Sequence, residues 1–382
     1  MKDLPLNGVR VVELGDSASA PFAGQILAGL GAEVWKVERP VSGDSSRGWG
    51  PSTWRGSGAA YHALNRGKKS ICLDIKKGED IAVLKRLIID HADVFLANLR
   101  PGSSAQYGLD MASLRASKPE LIVAEIGAFG HTGPLRLEPG YDPLMQAFSG
   151  IMNVTGEEGQ APVRAGVSIV DFGSAMWSVI GILAALFQRE RSGTGQGVST
   201  SLLETAIAWM TVGIANHAAN GDTGGRYGSG IAFIVPHRAY SASDGFLVIS
   251  CANDRLFAKL CAALDRPEWA VDPKFATNQA RLANRVDIDC LIAERVSQET
   301  RAFWKHRFES HGVASAFVQS TEELVAHEQT KALGILGKPS GDEIALVGLP
   351  LSFDGERPSP LHSAPAIGAN NSDLQRLFER HT

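Results

Sequence analysis

Through its first 130 residues the chain alternates short β-type runs with helical patterns, and this rhythm restricts the possible folds more than any other feature. Val9 to Leu14, Glu33 to Glu38, Asp93 to Ala97 and Leu121 to Ile126 read as buried strands. Between the first two, Phe22, Ile26, Leu27 and Leu30 recur at helical spacing, and Ile81, Leu84, Leu87 and Ile88 do so before the third. A βαβ succession implies a parallel sheet with helices on both faces.

Further along, Phe172 to Arg191 reads as a helix that is apolar almost all round, suited to a core or a subunit interface, with a glycine stop in Ser192-Gly193-Thr194-Gly195-Gln196-Gly197. Val198 to Ala208 starts another element. The polar, glycine-rich stretch Gly221 to Gly230 reads as a linker or mobile loop. Arg238 to Cys251 follows as a hairpin turning at Ser243-Asp244-Gly245, and Asp254 to Leu264 and Asp287 to Val296 as helices. The tail regains strand-like pieces such as Ile344 to Val347 and ends in a helix from Asp373. A domain boundary is placed near Asn220, with a smaller α+β domain to about Thr321; the pattern alone does not decide whether the tail returns to the first domain.

With 382 residues, 44% hydrophobic and 20% charged, the chain can bury a large core. A net charge of −4 lacks the basic excess that nucleic-acid binding needs, so an anionic ligand must be held by a few local cations. The N-terminus does not have the pattern of a signal peptide, and the longest apolar run, Ala175 to Phe187, falls short of a bilayer span. The expectation is a cytoplasmic protein with no membrane partner. Cys72, Cys251, Cys261 and Cys290 form neither CxxC nor a metal-ligand spacing with histidine, so reduced thiols and no metal are expected.

Asp142 stands out in Gly140-Tyr141-Asp142-Pro143-Leu144-Met145-Gln146-Ala147-Phe148-Ser149-Gly150, a turn directly ahead of an apolar segment. A poorly hydrated carboxylate there can act as a nucleophile, with amides of Gly140, Gly150 or the Gly224-Gly225 loop stabilising an oxyanion. The same residues also fit an Asp-Pro turn former. The turn Gly15 to Pro21 is not GxGxxG, which weakens a dinucleotide reading. It still opens a helix that can receive an anion, or a plain turn capped by Ser17 or Ser19. Arg39, Arg47, Lys68, Lys69, Lys76 and Arg100 fall in loop contexts; singly each reads as a solvated charge, but several gather at the carboxyl edge of the expected sheet, where a phosphorylated cofactor would bind. No Ser or Cys elbow accompanies His62, His131 or His237.

Leu6 to Leu14, Gly31 to Glu38, Asn65 to Ser70, Asn98 to Gly102, Gly140-Tyr141-Asp142 and Thr194-Gly195-Gln196, taken in order, resemble the family III CoA-transferases over about residues 6–370. The resemblance implies a large Rossmann-like domain built from both chain ends (1–210 and 328–382), a linker and small α+β domain (211–327) and an interlocked homodimer. It also implies transfer of CoA from an acyl-CoA donor to a carboxylic acid acceptor, with Asp142 forming a mixed anhydride and then an aspartyl-CoA thioester. By position, the family's coenzyme A contacts fall on Ser17, Ala18, Arg39, Leu73, Lys76, Asn98, Leu99 and Arg100, with Gly130-His131-Thr132-Gly133 closing over the pantetheine. Gln106 stands where some members carry a basic residue.

Arg47, with Trp49-Gly50-Pro51, and His237, with Ile234-Val235-Pro236, look most like members that use succinate and glutarate, and Gly224-Gly225 resembles a shielding glycine loop. An acyl-CoA racemase on the same scaffold is the nearest rival. Racemases show Gly-His-Asp-Ile-Asn-Tyr where this chain has Gly140-Tyr141-Asp142-Pro143-Leu144-Met145. A non-catalytic CoA-binding paralogue is the third reading.

Overall fold

Six strands, β1 (Arg10–Leu14), β2 (Glu33–Glu38), β3 (Lys69–Cys72), β4 (Val94–Ala97), β5 (Ile122–Gly127) and β6 (Gly197–Ser201), pair in parallel in the order β3-β2-β1-β4-β5-β6. The computed structural model describes residues 4–339, 343–359 and 362–379. The four strands read from the sequence stand within a residue of their expected bounds. Lys69–Cys72 and Gly197–Ser201 complete the sheet; each is too polar to announce itself by an apolar run.

Alternate residues of each strand serve opposite faces. Val11, Val34, Val94 and Ile122 pack against α1 (Ser19–Gly29) and the later helix α4, whereas Val12, Trp35, Phe95 and Val123 pack against α2 (Gly78–His91). After β5 come α3 (Asp142–Phe148), α4 (Ile169–Ser192) and, beyond β6, α5 (Leu202–Trp209). Gly193 ends α4 in the left-handed region at φ 70°, a conformation that costs glycine nothing.

The reading of α4 as apolar all round meets a division in the structure. Val170, Ala175, Val179, Ile182 and Leu186 are buried, but Met176, Trp177, Ile180 and Phe187 are exposed. By length and composition alone this helix passes for a membrane span, unlike the shorter run seen in the sequence. Its buried half is part of the core against the sheet.

The C-terminal helix Asn371–Glu379 and the residues before it close the edge of β3. Asn370 accepts from the Ser70 amide (3.0 Å) and donates its own amide back to the Ser70 carbonyl (2.9 Å), while Asn371 accepts from the Cys72 amide at 2.9 Å. Polar side chains thus occupy groups that an open strand edge would expose. The strand-like piece at 344–347 reduces to Leu346–Val347, paired with Leu336–Gly337.

Residues 1–149, 166–211 and 328–382 form one unit, and 150–165 with 212–327 a second. The second has an antiparallel sheet of β7 (His237–Ala242), β8 (Gly245–Ser250) and β9 (Ala314–Phe317), ordered β9-β8-β7, with the hairpin turn where the sequence places it. Helices α6 (Asp254–Ala263), α7 (Arg285–Val296) and α8 (Arg301–His311) bury Phe257, Ile288, Trp304 and Phe308 against Leu247 and Ile249. No helix or strand occurs from 221 to 236.

Candidate active site

In the large unit two groups of functional side chains collect at the carboxyl edge of the parallel sheet. The first lies where the strand order reverses, beside β1 and β4, the usual ligand crevice of such sheets. A cleft of about 480 Å³ there is lined by Arg39, Leu73, Lys76, Asn98, Leu99 and Arg100 among others, so the structure brings together six of the positions carried over by resemblance. Ser17 and Ala18 sit in the adjoining β1–α1 turn, outside the lining.

The cations of this cleft are not equivalent. Arg39 already pairs with Asp16 at 2.6 Å, both being exposed, and donates to Ser45 Oγ. Among the described residues the side chains of Lys76 and Arg100 have no partner, and both are exposed. Asn98 is committed to the turn: its Oδ1 accepts from the Asp16 amide (3.0 Å) and its Nδ2 donates to the Asp16 carbonyl (2.9 Å) and to Ser19 Oγ (3.2 Å). Neither Ser17 nor Ser19 caps α1. The cap position is Ala18, with no side-chain bond, and Ser17 takes φ 70°.

Behind the turn lies an ionic cluster with no exposure at all. Lys36 Nζ meets Glu13 at 2.9 Å, Asp44 at 2.7 Å and the Gly15 carbonyl at 3.0 Å, and Lys68 Nζ meets Glu13 at 2.7 Å. Burial opposes the charge of Lys36, yet Glu13 and Asp44 together outweigh it and its pKa rises. Lys68 is pulled down to about 8, chiefly by burial.

Arg47, expected to grip a substrate carboxylate, is taken up by the fold. Its guanidinium holds both oxygens of Glu38 (2.8 Å each) and donates to Tyr61 Oη (2.6 Å) and the Pro365 carbonyl (3.0 Å). A planar fork so engaged has no free edge for a ligand.

The second group surrounds Asp142. Gly140 lets the loop after β5 fold onto α3, since a Cβ there would stand 2.8 Å from Met145 Cε and 2.9 Å from Ala128 Cβ. Asp142 then begins α3 instead of lying in a free turn, and it is 3% exposed. Its Oδ1 accepts from Gln146 Nε2 at 2.6 Å, and its Oδ2 accepts from the amides of Val170 (2.8 Å) and Asp171 (3.2 Å). The amides come from the first turn of α4, not from Gly140, Gly150 or the Gly224-Gly225 loop. Both oxygens are occupied, which is not the situation of an attacking group. The segment beyond it is also less buried than expected: Met145 and Gln146 are inside, while Leu144 and Phe148 are exposed.

The contact with α4 introduces Asp171, which the sequence reading left just ahead of its helix. Asp171 is partly exposed, and among the described residues its carboxylate has no hydrogen-bond or ion-pair partner. Burial, and after it the charge of Asp142, push its pKa up to about 7. The available signal was a single acid in the otherwise apolar start Ile169-Val170-Asp171-Phe172, where a helix dipole favours a carboxylate.

Of the remaining positions, Gly130 lies in the loop after β5 at φ 96°, and a Cβ on it would come within 3.8 Å of Ser201 Oγ. His131, Thr132 and Gly133 continue that loop and line no part of the cleft. In the second unit His237 Nδ1 pairs with Ser250 Oγ across the hairpin at 2.8 Å, and Gly224 and Gly225 lie in its loop 221–236. Among the described residues no three His, Cys, Asp or Glu side chains are grouped to hold a metal ion.

A doubly wound sheet with a cation-bearing cleft at its switch point and a carboxylate pair on the same edge defines an α/β enzyme for an anionic ligand. The profile of CoA-transferase family III matches residues 6–371. The chain is 37% identical to the succinate–glutarate CoA-transferase of Agrobacterium fabrum over 93% of its own length and 92% of the relative's. It is 33% identical to the succinyl-CoA:glutarate CoA-transferase of Mus musculus, covering 99% and 87%. The solved structure of a CaiB/BaiF family protein from Brucella suis superposes with a TM-score of 0.90 at 36% identity, covering 98% of this chain and all of that one. The protein belongs to CoA-transferase family III, and it is a CoA-transferase.

Proposed function

We propose that the protein moves CoA from succinyl-CoA to a short dicarboxylic acid, with Asp171 as the carboxylate that carries the acyl group and Asp142 as the residue that positions it. The observation that carries this reading is the contrast between the two aspartates. A nucleophile has to be reachable and lightly solvated. Asp171 is partly exposed and unpaired, whereas Asp142 is buried with both oxygens engaged. The donor and acceptor follow the named activities of the relatives above.

In the proposed sequence the Asp171 carboxylate attacks the thioester carbonyl and expels CoA thiolate, leaving a mixed anhydride. The thiolate then attacks the aspartyl carbonyl, which releases succinate and forms an aspartyl-CoA thioester. The acceptor carboxylate displaces the thiolate through a second anhydride, and the thiolate attacks the acceptor's acyl carbon, freeing Asp171. Lys76 and Arg100, with Arg39 once it leaves Asp16, would hold the phosphates, and Leu73 and Leu99 the apolar part of the coenzyme. Ser17 and Ala18 would offer turn backbone, and Gly130 to Gly133 would cover the pantetheine.

The assembly we propose is a cytoplasmic, interlocked homodimer. The exposed apolar face of Met176, Trp177, Ile180, Phe187, Ile207 and Trp209 supports a second copy, since a patch of this kind on one unit calls for cover. Four free cysteines agree with a reducing compartment.

The test is mass spectrometry of the protein with succinyl-CoA and a panel of free acids. Glutaryl-CoA should form with wild type and not with Asp171→Ala, and a CoA adduct should map to Asp171. An adduct on Asp142 would reverse the assignment. Deuterium uptake into a 2-methylacyl-CoA without any exchange would install racemase chemistry instead.

A further inference from the structure

Away from the carboxyl edge, the large unit contains a pocket of about 270 Å³ walled by Gln25 and Gly29 of α1, Arg66, and residues within 334–339 and 346–359. Helix α1 starts beside the CoA cleft and ends at this pocket. Its 11 residues put roughly 16 Å between the two.

The charged side chains of this pocket are two arginines, beside the amide of Gln25 and the hydroxyl of Ser359. Arg66 is 6% exposed, and its guanidinium donates only to the carbonyls of Ala63 (3.2 Å) and Val347. Arg357 donates to the carbonyls of Leu333 (3.2 Å) and Leu349 (2.6 Å). Gln25 is 1% exposed, and its Nε2 has no hydrogen-bond partner. Among the described residues no carboxylate pairs with either arginine.

Among the described residues Arg66 is a buried guanidinium without a counter-ion and Gln25 a stranded amide donor, both costly unless an acceptor completes them, while Arg357 is half-buried beside them. Burial alone draws the pKa of Arg66 down to about 10, as expected of a charge with no acid beside it. Ile335, Leu346, Leu349 and Pro358 supply apolar side chains to the wall, next to Ser359.

We propose that this pocket binds a small organic carboxylate with a short apolar stem, the carboxylate bridging Arg66 and Arg357 and receiving Gln25 Nε2. Bidentate guanidinium geometry suits a carboxylate, and the apolar wall favours a stem over a bare inorganic ion. The assignment is independent of which aspartate carries the acyl group.

Calorimetric titration with butyrate, glutarate and inorganic phosphate tests it, using wild type, Arg357→Gln, Gln25→Met and, for the CoA cleft, Arg100→Ala. Butyrate should bind one per chain and glutarate one beyond the acceptor site, binding in this pocket being about tenfold weaker in Arg357→Gln and Gln25→Met and unchanged in Arg100→Ala. Arg357 is only half-buried, so its variant should fold even if Gln25→Met does not. Butyrate binding that survives both pocket variants, or that is lost in Arg100→Ala, overturns the proposal. So does phosphate binding more tightly than butyrate, or no binding of either acid at about 10 mM.

Discussion

Asp142 caps the helix that presents Asp171. Its Oδ2 accepts the amides of Val170 and of Asp171 itself, at 2.8 and 3.2 Å, in place of the cap that Ser168 does not supply. One carboxylate is therefore spent on the helix terminus and, by its charge, raises the pKa of the other. Removing the negative charge should separate these two effects. In Asp142→Asn the pKa of Asp171 should fall, and the acidic limb of kcat/KM, expected near 7 in wild type, should move to lower pH. A limb that stays in place would show that Asp171 is not the group being titrated.

The same shift makes a statement about stability. The Asp171 carboxyl rises from an ordinary 3.8 to about 7 in the fold. Between those values the folded protein keeps a proton that the unfolded chain has released, so stability falls as pH rises through that window and stays low above it. Asp171→Asn should therefore stabilise at pH 8 and not at pH 4. The full shift corresponds to about 4 kcal/mol, and partial exposure reduces this to about 1–3 kcal/mol. Urea unfolding at the two pH values gives the comparison; an equal gain at both would remove titration as the cause.

How far the site was legible depended on which distances lay along the chain. The βαβ rhythm, the glycine stop at Gly193 and the cations at strand ends are local patterns, and the sheet order places Arg39, Lys76 and Arg100 around one cleft. Asp171 was missed because its meaning comes from Asp142, 29 positions earlier, and from a helix that begins three residues before the apolar pattern does. Arg47 was misjudged for a similar reason. Its partner Glu38 sits at the end of β2 and Pro365 in the distant tail, and neither can be paired with it from spacing.

Arg47 consequently belongs to the fold more than to acceptor choice. Arg47→Gln would leave Glu38 buried without its guanidinium, a defect that typically costs about 3–5 kcal/mol. The expected result is a large fall in the urea midpoint with the ratio of activity on glutarate and succinate unchanged in whatever protein remains folded. A changed ratio at unchanged stability would return Arg47 to the acceptor site.

The buried cluster behind the β1–α1 turn should respond in the same way, though with a second consequence. Lys36 balances Glu13 and Asp44 at zero exposure, so Lys36→Met leaves two buried carboxylates facing one remaining cation, Lys68. A loss of about 3–5 kcal/mol is expected from the uncompensated charge, measurable by urea unfolding. Because Lys36 also holds the Gly15 carbonyl, the turn beside the cleft loosens, and KM for acyl-CoA should rise in the surviving folded fraction. A variant with wild-type stability would mean that the cluster does not depend on this lysine.

The cleft cations divide by what already engages them, and this gives the most direct check on coenzyme binding. Lys76 and Arg100 have no partner among the described residues, so each is available to a phosphate, while Arg39 must first give up Asp16. A charge-assisted hydrogen bond to a phosphate contributes about 1.5–3 kcal/mol, an increase in KM for acyl-CoA of roughly 10- to 100-fold when it is removed. Lys76→Ala and Arg100→Ala should fall in that range with kcat little changed, and the increase should shrink as salt is added. Arg39→Ala should cost less, because the exposed pair it breaks is itself weak and its loss leaves Asp16 in water. Steady-state kinetics at low and high ionic strength would reveal the order. If Arg39→Ala is the most damaging of the three, then Asp16 is a placeholder for the phosphate, and Arg39 is the principal contact.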